Sequence, residues 1–180
     1  MAVHTTRFEK PGPQNTDETL RLAVESADRL GIKNMAIASR TGKTAMKLVR
    51  LPEAAGIKVV VVAPQFGWHD KHEFDFSLLP ELRAGGHDFY TGSMPFHMKA
   101  FHGGSHAEAM AGALRIFGQG TQVCVEIALM AVDGGHLEAG RECVLIAGTR
   151  SGADTAITAA PSSSLRFKEF SVRDFICRPY

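Results

Sequence analysis

The stretch Ser39-Arg40-Thr41-Gly42-Lys43-Thr44 sets three hydroxyls, a glycine and two cations between an apolar run that reads as a strand and an amphipathic segment that reads as a helix. That mixture suits a phosphate monoester. Backbone N–H groups at the start of a helix have no intrahelical partner, and the peptide dipoles add positive charge there. Thr41 and Thr44 can donate hydroxyl hydrogen bonds, Arg40 or Lys43 can balance the charge, and Gly42 leaves the backbone open to close approach. On this reading Gly42→Val is expected to abolish binding with little unfolding. The tripeptide Gly42-Lys43-Thr44 also ends a Walker A motif, but Ile37 stands where the first glycine of that motif belongs, which argues against an ordinary P-loop nucleotidase. A plain helix cap by Ser39 or Thr41, with the cations solvated, is the competing reading.

A second segment, Gly148-Thr149-Arg150-Ser151-Gly152-Ala153-Asp154-Thr155, repeats the pattern of hydroxyl, arginine, hydroxyl and glycine, and it also follows an apolar run. Its continuation alternates like a strand, so it reads as a hairpin in which Gly148 and Gly152 supply positive φ. Glu126 lies alone in the apolar segment from Val123 to Val132. A carboxylate there is costly unless paired, and it is the candidate catalytic residue, as a ligand anchor or general acid/base. A structural role, capping a loop or pairing with an arginine, stands beside that reading.

His69 and His72 have H-x-x-H spacing with Asp70 and Glu73 adjacent, and His97, His102 and His106 follow. No signature ligand spacing accompanies them, so the 66–106 region reads as a histidine-bearing loop and no metal is expected. Phe66, Trp68, Phe74 and Phe76 suit either an aromatic lid over a planar ligand or packing against the core.

The elements that must position these residues follow from periodicity. A strand is expected around Val3 to Phe8, then a turn at Lys10 to Pro13, then a helix opened by Asn15 or Thr16, with Glu18 at capping-box spacing and Gly31 as its stop. Met35 to Ser39 reads as a strand, Thr44 to Ala55 as a helix, and Ile57 to Ala63, with four consecutive valines, as a central parallel strand. A helix near Leu78 to Ala84, a strand near His87 to Thr91 and a helix from Ser105 come next. Thr121 to Val132 fits strand or helix by composition, and its length and the Gly134-Gly135 stop favour helix. Strands are expected at Glu142 to Ala147, Asp154 to Ala160 and Phe170 to Cys177, with a turn at Pro161 to Ser164. This alternation indicates an α/β layered fold with parallel strands.

With 180 residues, 44% of them hydrophobic, the chain suits one well-filled domain over 1–180. Twenty Lys and Arg against 19 Asp and Glu give a net charge of +1, which points to neither nucleic acid nor another polyanion as partner. Cys124, Cys143 and Cys177 are far apart, as expected for reduced thiols of a cytoplasmic protein. No apolar leader or membrane-length run is present, so neither a membrane nor export is expected.

Phe8 to Gly12 with Asn15-Thr16 and Glu18 to Leu20, Ser39 to Met46, Val123 to Asp133, and Gly148 to Ala156 fall in one order with one spacing across nearly the whole chain. In these segments the sequence resembles a small family of conserved archaeal and bacterial proteins of uncharacterised function, built on the pyruvate kinase C-terminal domain fold. The stretch from Gln65 to Gly104 matches least. The resemblance implies a three-layer α/β/α sandwich with strand order 3-2-1-4-5 and an antiparallel fifth strand, which would set the two glycine loops across one cleft. It implies a phosphorylated small molecule as partner, with FMN as the cofactor expected. It also adds Lys10 and Asn15 to a ligand-binding set of Ser39 to Thr44, Gly148 to Thr155 and Glu126. In pyruvate kinase the equivalent loop holds a sugar bisphosphate effector, so a regulatory, effector-sensing domain is one alternative, and a hydrolase or isomerase of a phosphorylated metabolite is another. Self-association through apolar elements near a sheet edge is a further expectation.

Overall fold

A computed structural model describes residues 5–97 and 105–180. His102 and the first residues of the expected N-terminal strand lie outside them. The chain runs β1 (Thr6–Phe8), α1 (Thr16–Leu30), β2 (Asn34–Ala38), α2 (Lys43–Val49), β3 (Lys58–Ala63), α3 (Leu79–Ala84), β4 (Asp88–Thr91), α4 (Ser105–Arg115), α5 (Gln119–Asp133), β5 (Cys143–Ala147), β6 (Thr155–Ala160) and β7 (Ser171–Pro179).

These strands form one sheet in the order β1-β7-β6-β5-β2-β3-β4. Its five strands from β4 to β6 have the 3-2-1-4-5 order, with β6 antiparallel to β5. β7 and β1 extend it beyond β6, antiparallel and then parallel.

Side chains along a strand alternate between faces, and here that alternation sorts the core. Met35, Ile37, Val59, Val61, Val144 and Ile146 pack with Leu20, Val24 and Ala27 of α1 and with Ala45 and Leu48 of α2. Ala36, Val60, Val62, Leu145 and Ala147 pack on the other face with Cys124, Ile127, Ala128 and Ala131 of α5. Each fully buried Leu, Ile or Val contributes about 1.5–3 kcal/mol. The apolar segment before Gly134 is a helix, as its length indicates, and it is buried nearly throughout because the sheet lies under it and α4 packs against it. Burial pushes the thiols of Cys143 up to about 12 and of Cys177 up to about 11, so these groups stay protonated and unreactive.

Two local expectations change. The helix expected to reach Ala55 stops at Val49, since Pro52 forces the preceding Leu51 into extended backbone, and a single 3-10 turn, Pro52–Ala54, follows. Asn15 makes no side-chain cap on α1; its Nδ2 donates instead to Lys10 O at 2.8 Å, while Glu18 pairs with Arg21.

Among the described residues, Thr158 in β6 carries a buried hydroxyl with no hydrogen-bond partner. Thr158→Val keeps the shape and removes the desolvated hydroxyl, so it should stabilise the fold by about 1 kcal/mol, visible as a rise in the denaturant midpoint. A drop in the midpoint would show that the hydroxyl has a partner after all.

Candidate functional site

β2 and β5 lie side by side and parallel, but the chain leaves β2 toward β3 and leaves β5 toward β6 on the opposite side. Where winding reverses in this way, the connections diverge and open a crevice at the carboxyl ends of the strands. A cavity of about 330 Å³ sits there. One wall is Ser39, Arg40, Thr41 and Thr44. The facing wall is Gly148, Arg150, Ser151 and Gly152, and α5 adds Glu126 with apolar Val123, Ile127 and Met130. Both loops singled out by composition therefore meet in one place.

In the first loop, buried Ser39 accepts a hydrogen bond from Ala45 N at 3.3 Å, so its hydroxyl is spent on shaping the turn into α2. The N–H groups of Arg40, Thr41, Gly42 and Thr44 meet no acceptor among the described residues. Arg40 lines the cavity and pairs with Glu73 at 3.2 Å. Lys43 does not line it and instead borders an outer groove with Met46, Lys47 and Arg50. Gly42 has φ +89°, and a Cβ on it would lie 2.5 Å from Leu78 Cδ1 and 3.3 Å from Phe74 Cε2. Its glycine is thus required by backbone conformation and by packing on that side.

The second loop is a hairpin, as its alternation suggests, but positive φ falls on Arg150 (+68°) and Gly152 (+69°), not on Gly148. Gly148 is needed for another reason. A Cβ there would lie 2.6 Å from Gly152 O. Arg150 is the only non-glycine residue with positive φ among those described, and it sits in the cavity wall.

Ala153, Asp154 and Thr155 do not line the cavity; all three are buried behind the loop. Asp154 Oδ2 accepts from Gly12 N at 2.9 Å and from Thr149 N at 3.1 Å, and Oδ1 accepts from Thr155 Oγ1 at 2.8 Å. Ala153 N donates to Thr16 Oγ1 at 3.0 Å. The segment containing Lys10 and Asn15 therefore shapes the second loop through Gly12 and Thr16. The structure does not bring the Lys10 and Asn15 side chains to the cavity. Thr149 likewise contributes its N–H to Asp154 and is absent from the wall.

Glu126, 2% exposed, stands where α5 meets the cavity. Its Oε1 accepts from Phe96 N at 2.9 Å and lies 2.9 Å from His97 Nδ1, and its Oε2 accepts from Gln122 Nε2 at 3.0 Å. It caps a neighbouring loop and faces the cavity at once. His69 and His72 diverge: His69 lines the cavity, whereas His72 Nε2 contacts Pro64 O at 2.9 Å and its ring lies 4.3 Å from Phe66. No group of three His, Cys, Asp or Glu able to hold a metal occurs among the described residues. Of the four aromatics, Trp68 alone lines the cavity, edge-on to His97 at 4.5 Å. Phe66, Phe74 and Phe76 form a separate cluster in which Phe74 and Phe76 both contact Phe89.

The pyruvate kinase, alpha/beta domain model matches residues 17–158, the span from α1 through the central strands and both loops into β6. The chain belongs to that family.

Among solved structures, pyruvate kinase of Cryptosporidium parvum in complex with ADP is similar at 17% identity and a TM-score of 0.41, covering 84% of this chain and 24% of that one. A second pyruvate kinase structure from Cryptosporidium parvum matches at 16% identity and a TM-score of 0.37, over 73% and 21% of the two chains. The chain thus spans about a quarter of the length of the first of these pyruvate kinases. No helix among the described residues is long and apolar enough to cross a membrane.

Within this alpha/beta domain, sequence reasoning passed over Gln119 and Gln122. They lie seven and four residues before Glu126 on α5, and Gln119 Nε2 donates to Gln122 Oε1 at 3.2 Å. Polar residues at spacings of three and four in an apolar helix share one face, and that was the available signal.

Proposed function

We propose that the cavity binds a small molecule carrying a phosphate monoester, with FMN as the ligand of first choice. The observation that supports it best is the convergence of two hydroxyl-, arginine- and glycine-bearing loops on one cavity at the winding reversal. The phosphate would lie between the open N–H groups of the first loop and Arg40 on one side and Arg150 and Ser151 on the other. Charge-assisted hydrogen bonds to a dianion are the strong kind. A cavity of about 330 Å³ is within the range of small-molecule sites. Its polar end adjoins an apolar wall of Val123, Ile127 and Met130 with Trp68 nearby, a division that suits a ligand with a phosphate at one end and a flat ring at the other. FMN, when bound, would supply electron or hydride transfer chemistry.

The test is the visible spectrum of the purified protein, mass analysis of anything it releases, and titration with added FMN. Arg40→Ala with Arg150→Ala should weaken FMN binding by at least about 100-fold, since each charged hydrogen bond is worth about 1.5–3 kcal/mol and 1.4 kcal/mol is tenfold. A colourless protein that ignores FMN but binds a sugar phosphate through the same arginines would give the site to an effector instead, a reading favoured by membership of the pyruvate kinase alpha/beta domain family. Unchanged affinity in the double variant would overturn both.

A further inference from the structure

We infer that His97 is the proton-exchanging group of this cavity, a base whose Nε2 takes a proton from a hydroxyl or a water beside the bound ligand, with Glu126 as its positioning residue. The inference rests on the phosphate-ligand reading for its substrate class, a phosphorylated small molecule. Glu126 lines the cavity, but both its oxygens are engaged by the protein. It is 2% exposed, Oε1 is shared between Phe96 N and His97 Nδ1, and Oε2 is taken by Gln122. A carboxylate is acceptor-only, so toward the Glu126 carboxylate it is Nδ1 that carries the hydrogen and donates. In the neutral ring this leaves Nε2 with a lone pair, and Nε2 has no partner among the described residues.

The ring is held on three sides. His97 N donates to Met94 O at 2.9 Å, which fixes the backbone; Glu126 fixes the tautomer; and Trp68 packs edge-on at 4.5 Å. His97 lines the same cavity as Arg40 and Arg150, and 17% of its side chain is exposed. A carboxylate bonded to an imidazole whose residue lines a ligand cavity is the arrangement that general-base catalysis uses, with the carboxylate orienting the ring and stabilising the imidazolium. In the transfer the O–H bond breaks, the Nε2–H bond forms, the electron pair stays on oxygen, and the positive charge on the ring faces the Glu126 carboxylate at 2.9 Å. The reverse transfer restores both groups, so the transfer consumes no other reactant.

Two-bond ¹H–¹⁵N spectra of the histidine rings above neutral pH test this, with His97 assigned by its loss in His97→Gln. Wild type should show hydrogen on Nδ1 and a bare Nε2, and Glu126→Gln should mix or invert the tautomers without loss of the folded spectrum. Adding inorganic phosphate, then FMN, should shift the His97 Nε2 signal while leaving His136, which contacts Asp88 and Tyr90 elsewhere, in place. Hydrogen on Nε2 in the wild type overturns the inference whatever binds. Shifts in the Thr41 and Ser151 amides with none at His97 leave the phosphate reading standing and overturn the base. If neither moves with inorganic phosphate, FMN or a sugar phosphate, the phosphate reading falls and the inference falls with it. Should Glu126→Gln not fold, the wild-type tautomer and Glu126→Asp, which keeps a carboxylate, still decide.

Discussion

Replacing Asp154 by alanine is expected to lower stability by about 3–5 kcal/mol, because it strands several buried hydrogen-bond donors. Asp154 is fully buried and receives three hydrogen bonds, from Gly12 N, Thr149 N and Thr155 Oγ1. Truncation leaves these donors facing a space without an acceptor, and each stranded donor costs about 1–3 kcal/mol. At about 2–4 °C per kcal/mol for a chain of this size, the melting temperature should fall by roughly 6–20 °C. Asp154→Asn, which keeps one acceptor oxygen, should fall between. Ligand affinity should drop as well, because the second wall is held from behind by this carboxylate. A melt within about 1 kcal/mol of wild type would remove Asp154 from its structural role.

Gly42→Val should cost about 3 kcal/mol. A residue with a Cβ pays about 1–2 kcal/mol to sit in the left-handed region, and a β-branched one fits there worse. The added atoms must also displace Leu78 and Phe74, and overpacking of this kind costs about 1–3 kcal/mol. Thermal unfolding should therefore show the loss without any ligand present. If Gly42 served only the approach of a phosphate, the variant would melt like wild type and fail only in binding. Gly42→Ala separates the contributions, since it retains the conformational cost with a smaller intrusion.

The contrast between these two residues shows where the sequence was legible. Periodicity and apolar runs identify β2, β3, β5 and α5, because each element buries a pattern that its own residues display. The two loops were legible as a pair because their residue types repeat. Their meeting place required topology, which the resemblance supplied and the sheet order bears out. From the sequence Asp154 falls in the ligand-binding set with the rest of its loop, because its partner Gly12 lies 142 positions away, beyond any local pattern. Gly42 reads locally as a glycine that admits a phosphate to the backbone, whereas the atoms a Cβ there would meet belong to Leu78 and Phe74, which arrive from later in the chain. His97 was one of six histidines between positions 66 and 106, and nothing local marks it out. Its role follows from α5 placing Glu126 opposite it.

The tie between Gly12 and Asp154 also bears on the order of events in folding. Closing a loop of that length has an entropic cost that only later contacts offset, so contacts of such separation form slowly compared with those inside helices and hairpins. The β5–β6 hairpin can close on its own, yet its tip takes its final shape only when residues near the start of the chain dock behind it. Ligand binding would therefore mark the completed fold, and chains still maturing would be blind to the ligand.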